Sequence, residues 1–167
     1  MTQIGQLEKA LEGGNMKKLR TVSQIIRKRR LFCVSPDDMA RQACKIMTNR
    51  KLGALPVIDD NGTLVGVISE RDIVRRCIGG KRKTIRTPIR EVMTPDPIVA
   101  KSDDTIVVAI AVMMQNQIRN LPVVENGVVI GMICMREVVT ELSTLAVQNF
   151  GLAGIVQDTE LQVAERV

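Results

Sequence analysis

The sequence predicts an α+β fold built from two tandem βαββα units packed sheet to sheet as a pseudo-twofold pair. Three observations predict it. First, the chain repeats itself: Leu55-Pro56-Val57-Ile58 followed by Asn61-Gly62 is echoed by Leu121-Pro122-Val123-Val124 followed by Asn126-Gly127. Self-similarity of this kind marks a duplicated supersecondary unit. Second, each Asn-Gly lies between two Val/Ile-rich runs, the strongest short hairpin signal. Third, Met39, Ala43, Ile46 and Met47 recur at helical spacing upstream of the first hairpin, and Met113 stands where Met47 does upstream of the second.

The elements follow in order. Residues 1–18 form an N-terminal extension, with a short helix and a frayed end both open. The first repeat spans residues 19–80. It begins with a short strand, Phe32–Val34, and Ser35-Pro36-Asp37-Asp38 then caps a helix from about Asp38 to Arg50. Two hairpin strands follow, and a second helix starts near Glu70. Gly79-Gly80-Lys81-Arg82-Lys83 reads as a flexible, charged linker. The linker and second repeat occupy 81–147: a strand at Ile98–Ala100, the cluster Lys101-Ser102-Asp103-Asp104, a helix from about Thr105 to Gln117, a hairpin, and a helix from near Met135. The tail, 148–167, is mildly amphipathic, and a docking helix and a loose end both remain open for it. The Val/Ile content of the hairpin strands predicts burial on both faces. A unit of roughly 60 residues is marginal alone, so the two sheets are expected to pack together. Clefts then form where the copies meet, the usual place for a ligand.

Composition narrows the function. Apolar residues make up 45% of 167, yet there are two Phe and no Trp or Tyr, so the core is aliphatic. The formal charge is +6 with no His. The missing His removes the commonest general base and metal ligand, and the positive balance favours anionic partners. No metal site and no catalytic group is read from the chain, because no acid–base pair or activated nucleophile is visible; it is predicted not to be an enzyme. The four Cys, at 33, 44, 77 and 134, show no Cys-x-x-Cys spacing, and three of them lie in apolar patterns that read as buried free thiols. The start, MTQIGQLEKALEGG, carries no hydrophobic run, and no stretch approaches the ~18 apolar residues of a membrane span. A reducing cytoplasm is the predicted location.

One turn carries binding chemistry. In Gly66-Val67-Ile68-Ser69-Glu70-Arg71-Asp72, Ser69-x-x-Asp72 is at its plainest a capping box. The same geometry can bind. A helix start presents free N–H groups, a hydroxyl can donate to phosphate, and a carboxylate can accept from two ribose hydroxyls. Arg71 adds charge beside it. The duplicated Leu-Pro-Val strand, the Gly-x-Ile-Ser-x-x-Asp turn and the lead-in Val92-Met93-Thr94 together resemble tandem CBS domains, named from cystathionine β-synthase. Ile68-Ser69-Glu70-Arg71-Asp72-Ile73-Val74-Arg75 is close to small stand-alone prokaryotic CBS pairs.

That resemblance implies a regulatory module that binds AMP, ADP or ATP between its repeats, with NAD and S-adenosylmethionine ranked behind them. It implies that Asp72 holds ribose and Ser69 phosphate, that Thr94 and Ile98 contact adenine, that Ile118 lines its pocket, and that Arg119 or Asn120 reaches phosphate. The second copy departs from the pattern: Cys134 replaces the hydroxyl residue and Glu137 the Asp. A thiol is a weak donor, and Glu, one methylene longer, would crowd the ribose. With Gly53 and Ala54 opposite, these residues make a possible degenerate second site. Cys134 reads as a buried thiol before a redox switch.

Two other readings compete. Arg27-Lys28-Arg29-Arg30 is at its plainest a solvated face, but it could touch anions, and a nucleic-acid-binding accessory protein would use it. No aromatic strip supports single-strand stacking. A ligand-free dimerisation scaffold is the other alternative. A homodimer is expected in any case, because Ile106–Met114 is apolar on more than one face. The regulated partner is not named by the sequence.

Overall fold

The computed structural model describes residues 19–27 and 29–150. The extension 1–18 and most of the tail 148–167 lie outside the described residues. Helix α1 (Val22–Ile26) is capped by Thr21, whose hydroxyl accepts from the Gln24 amide while the Gln24 side chain accepts from the Thr21 N–H. Helix α2 (Ala40–Arg50) leads to strands β1 (Ala54–Ile58) and β2 (Leu64–Ser69). Helix α3 (Glu70–Asp72) continues as a π-helical stretch, Ile73–Ile78. A 3-10 turn at Ile89–Glu91 and strand β3 (Thr94–Pro95) follow. The second repeat supplies β4 (Ala100–Lys101), α4 (Ile106–Gln115), β5 (Asn120–Glu125), β6 (Val128–Cys134) and α5 (Met135–Phe150).

Two three-stranded sheets form, in the orders β1-β2-β3 and β4-β5-β6. The halves repeat each other in backbone detail. Each hairpin has a register shift at the same place, between Val57 and Ile58 and between Val123 and Val124. Gly62 and Gly127 take φ of +82° and +81°, as the hairpin turns require. Lys51 and Gln117 end their helices in the left-handed region, at φ 55° and 54°.

Several expectations are adjusted. The strand expected at Phe32–Val34 is reduced to one parallel bridge, Val34 to Val57. The strand expected at Ile98–Ala100 pairs at Ala100–Lys101. The first repeat helix starts at Ala40, because Met39 is extended and its N–H donates to the Gln42 side chain. Strand β1 is buried on both faces, but β6 alternates, since one of its faces looks onto the cleft. Of the four free thiols only Cys77 is buried; Cys44 and Cys134 are half-buried and Cys33 is exposed.

The chain also crosses between the repeats. Ile89 and Val92, from the lead-in of the second repeat, are buried in the core around Leu55, Val57 and Ile68. Val22 and Ile26, from the lead-in of the first, are buried in the core around Leu121, Val123 and Ile133. Backbone bonds fix both crossings: the Val22 N–H donates to Asp104 O at 2.9 Å, and the Ile89 N–H to Asp38 O at 2.8 Å. Each of the two cores is therefore closed by apolar residues from the other copy, which ties the copies together.

Candidate functional site

A cleft of about 1310 Å³ lies where the repeats meet. All the residues singled out by sequence line it: Ser69, Arg71, Asp72, Thr94, Ile98, Ile118, Arg119 and Asn120, together with Gly53, Ala54, Cys134 and Glu137. The two groups adjoin, because a Cβ on Gly53 would stand 3.7 Å from the Asn120 side-chain oxygen.

The first half is built around Asp72. Strand β2 runs directly into α3, so Ser69 is both the last strand residue and the helix cap. The cap is reciprocal. The Asp72 N–H donates to Ser69 Oγ at 3.2 Å, and Asp72 Oδ2 accepts from the Ser69 N–H at 2.9 Å and from the Ser69 hydroxyl at 2.6 Å. Asp72 Oδ1 faces the other repeat's lead-in, accepting from Thr94 Oγ1 at 3.3 Å, with Arg76 at 3.4 Å. The carboxylate is 13% exposed.

Thr94 arrives there because β3 pairs with β2, setting Val67 opposite Thr94 and Gly66 opposite Pro95. The approach needs glycine: a Cβ on Gly66 would lie 2.6 Å from Met93 Sδ and 3.0 Å from the Thr94 carbonyl oxygen. Arg76 pins the same segment by donating to the carbonyls of Val92, at 3.1 Å, and Met93. Sequence reading missed Arg76, although its i+4 spacing from Asp72 was visible. Ile118 is half-buried, Arg119 exposed and Asn120 half-buried across the cleft. The Arg119 carbonyl accepts from the Met135 N–H at 2.8 Å.

The second half has the same frame and different chemistry. Glu137 Oε2 accepts from the Cys134 N–H at 2.8 Å, and Glu137 also pairs with Arg29. Burial pushes the Cys134 thiol above its ordinary pKa, and the charge of Glu137 adds to the rise. The Gly53 carbonyl accepts from the Glu70 N–H at 3.1 Å, mirroring Arg119 and Met135. Phe32, read from sequence only as part of a strand, is flanked by two guanidinium groups: Arg30 lies 5.4 Å and Arg50 4.7 Å from its ring centre. Arg29 and Arg30, from the basic run, line the cleft.

No helix among the described residues is long and apolar enough to cross a membrane. The family profile described as CBS domain matches residues 22–79 and again 89–144. A CBS domain-containing protein of Arabidopsis thaliana (CBSCBSPB1) is 32% identical over 145 residues, which are 84% of this chain and 26% of that protein. The chain thus spans about a quarter of that curated relative's length. Among solved structures, a protein with CBS domains from Burkholderia ambifaria is 27% identical with a TM-score of 0.69, over 74% of this chain and 93% of that one. The structure of CBSX2 in complex with AMP is 30% identical with a TM-score of 0.63, over 75% and 97%. With its profile matched twice in succession and the same fold in these neighbours, the chain belongs to the CBS-domain family as a tandem pair.

Proposed function

We propose that the chain is a cytoplasmic, non-catalytic sensing module that binds an adenine nucleotide in its inter-repeat cleft and transmits occupancy to a separate partner. The observation that carries this is the Asp72 carboxylate, seated in the wall of the cleft and bonded across to Thr94 of the other repeat. Ribose hydroxyls would replace the long Thr94 bond and the Arg76 contact at Oδ1. Ser69, whose hydroxyl points at Asp72, must rotate to donate to a phosphate. Ile98, 43% exposed, and Ile118 offer aliphatic walls to adenine. The neighbour solved with AMP supports the class of ligand. Occupancy acts by differential binding: a ligand touching both repeats favours whichever arrangement of them it fits.

The working form in this reading is a homodimer. Val107, Val108, Ile110, Ala111 and Val112 on α4 are only partly buried, and Met114 on α4 and Val139 on α5 are 66% and 46% exposed. Such a face calls for a second copy. Light scattering at micromolar concentration is expected to give twice the chain mass; a monomer mass removes the dimer.

The binding test uses the stripped protein. AMP, ADP and ATP at millimolar concentration are expected to raise its unfolding temperature, since a ligand bound only by the native state adds roughly 2.7 kcal/mol at a hundredfold excess over Kd. Asp72→Ala is expected to cost about 1.5–3 kcal/mol of binding, the range for a charged hydrogen bond, and Glu137→Ala far less. No shift with any of these nucleotides or with S-adenosylmethionine overturns the proposal.

A further inference from the structure

The two halves of the cleft differ in charge at matching positions. Val34 and Ala100 occupy equivalent bridges, to Val57 and Val123, so the residues four and two places before them also correspond. Where the first half has Asp96, Ile98 and Gln117, the second has Arg30, Phe32 and Lys51. Arg50 shares the Phe32 ring with Arg30, so two like charges are held on one small surface. Arg136 also lines the cleft, at the position Arg71 holds in the first half. Among the described residues, none of Arg30, Arg50, Lys51 and Arg136 has a carboxylate partner. Glu137, the acid at the position of Asp72, is already engaged by Arg29 and the Cys134 N–H.

We infer that the Glu137 half of the cleft is a receptor for a polyphosphate chain and not a second nucleoside site. Four unpaired cations facing one cavity repel one another, and a compact polyanion relieves that repulsion while giving guanidinium forks paired acceptors. Glu137, at the position Asp72 holds in the first half, is tied up by the Arg29 ion pair, whereas Asp72 meets Arg76 only at 3.4 Å. The halves are contiguous at Gly53 and Asn120, and the cavity, at about 1310 Å³, exceeds the 300–1,000 Å³ usual for one small ligand. A nucleoside with its sugar at Asp72 can therefore carry its β- and γ-phosphates into the second half. The inference rests on the nucleotide reading above only for that continuity; the anion receptor stands on its own residues.

Calorimetry on the full chain tests it with AMP, ATP and inorganic tripolyphosphate. ATP is expected to bind at least about tenfold tighter than AMP, and tripolyphosphate to bind wild type and Asp72→Ala alike. Arg30→Gln/Arg50→Gln is expected to lose about tenfold or more for ATP and tripolyphosphate while keeping AMP. Arg136→Gln, away from the Phe32 ring, gives a second loss that does not depend on that packing. Lys81→Gln/Lys83→Gln removes the same charge from the linker and is expected to change nothing. Equal loss in the linker variant, or no tripolyphosphate binding to wild type, overturns the receptor. Tripolyphosphate bound at Arg30 and Arg50 with no AMP bound would instead remove the nucleoside reading and leave the receptor in place.

Discussion

In the first repeat Ser69 and Asp72 close a reciprocal cap built on a hydroxyl and an aspartate; in the second, Cys134 and Glu137 hold the same positions, a thiol and a longer acid, and the Cys134 N–H donates to Glu137 Oε2. The outer helices differ as sharply. On α2 the residues Arg41, Gln42, Lys45, Thr48 and Asn49 give a polar outer face, whereas α4 is Val, Ile, Ala and Met from Ile106 to Met114. Yet the turns, bulges and buried strand centres match. A duplicated scaffold needs its turn glycines and core aliphatics in both copies, because each sheet must close. A polar handle or a wet outer face is needed only where a ligand or solvent meets it, so these positions are free to diverge.

The largest expected effect tests how far the copies depend on each other. Ile26, 4% exposed, belongs to the first copy in sequence and to the second in packing. Ile26→Ala is expected to destabilise by about 2–5 kcal/mol, the usual cost of emptying a core site. Hydrogen exchange is expected to show protection lost first in β5 and β6 and not in β1. Loss centred on β1 and β2 would return Ile26 to its own repeat.

The paired glycines separate the copies more finely. A Cβ on Gly66 meets the Thr94 carbonyl at 3.0 Å as well as Met93, and that backbone cannot retreat without unpairing β2 from β3. A Cβ on Gly131 meets Ile26 Cδ1 at 2.6 Å, the end of a side chain that can rotate. Gly66→Ala is expected to cost about 1–3 kcal/mol, the range for overpacking, and Gly131→Ala less. Denaturant midpoints giving the reverse order would remove the distinction.

Exchanging the caps is smaller again. Ser69→Ala is expected to cost about 0.5–2 kcal/mol and Cys134→Ser to return up to a similar amount, because a hydroxyl is a stronger hydrogen-bond acceptor and donor at that place than a thiol. Unfolding curves in which Cys134→Ser is neutral would show that the second copy has no room for the cap.

The smallest effect is the thiols' pH dependence. Burial pushes the pKa of Cys44 and Cys134 above the unfolded value, so the fold favours their protonated forms. Their contribution to stability is fully present below about pH 8.5 and falls as pH rises through the folded values. Cys134→Ala is expected to flatten that fall. Alkylation at neutral pH is expected to label exposed Cys33 first and buried Cys77 last.

Much of this molecule was legible in one dimension. The duplication, the hairpins at Asn61-Gly62 and Asn126-Gly127, the helix starts at Glu70 and Met135 and the cap at Ser69 and Asp72 are local, set by backbone preferences within a few residues. The residues placed together in the cleft were found because the repeat locates them. What local preference could not reach were contacts made across the chain. The crossing of Val22 and Ile26 into the second core, the pairing of Thr94–Pro95 with β2, and the shrinkage of Phe32–Val34 to a single bridge depend on which surfaces lie nearest once the sheets pack. The same holds for charge. The sequence shows Arg50 and Glu137 far from Arg29, Arg30 and Phe32, and only folding sets a second guanidinium on the ring and spends the acid on Arg29. Sequence thus determined the repeated unit and its Ser69–Asp72 handle, because those follow from short-range sterics and hydrogen bonding. Tertiary structure alone decided how the halves differ electrostatically, because Coulomb interactions depend on distance and burial in space and not on separation along the chain.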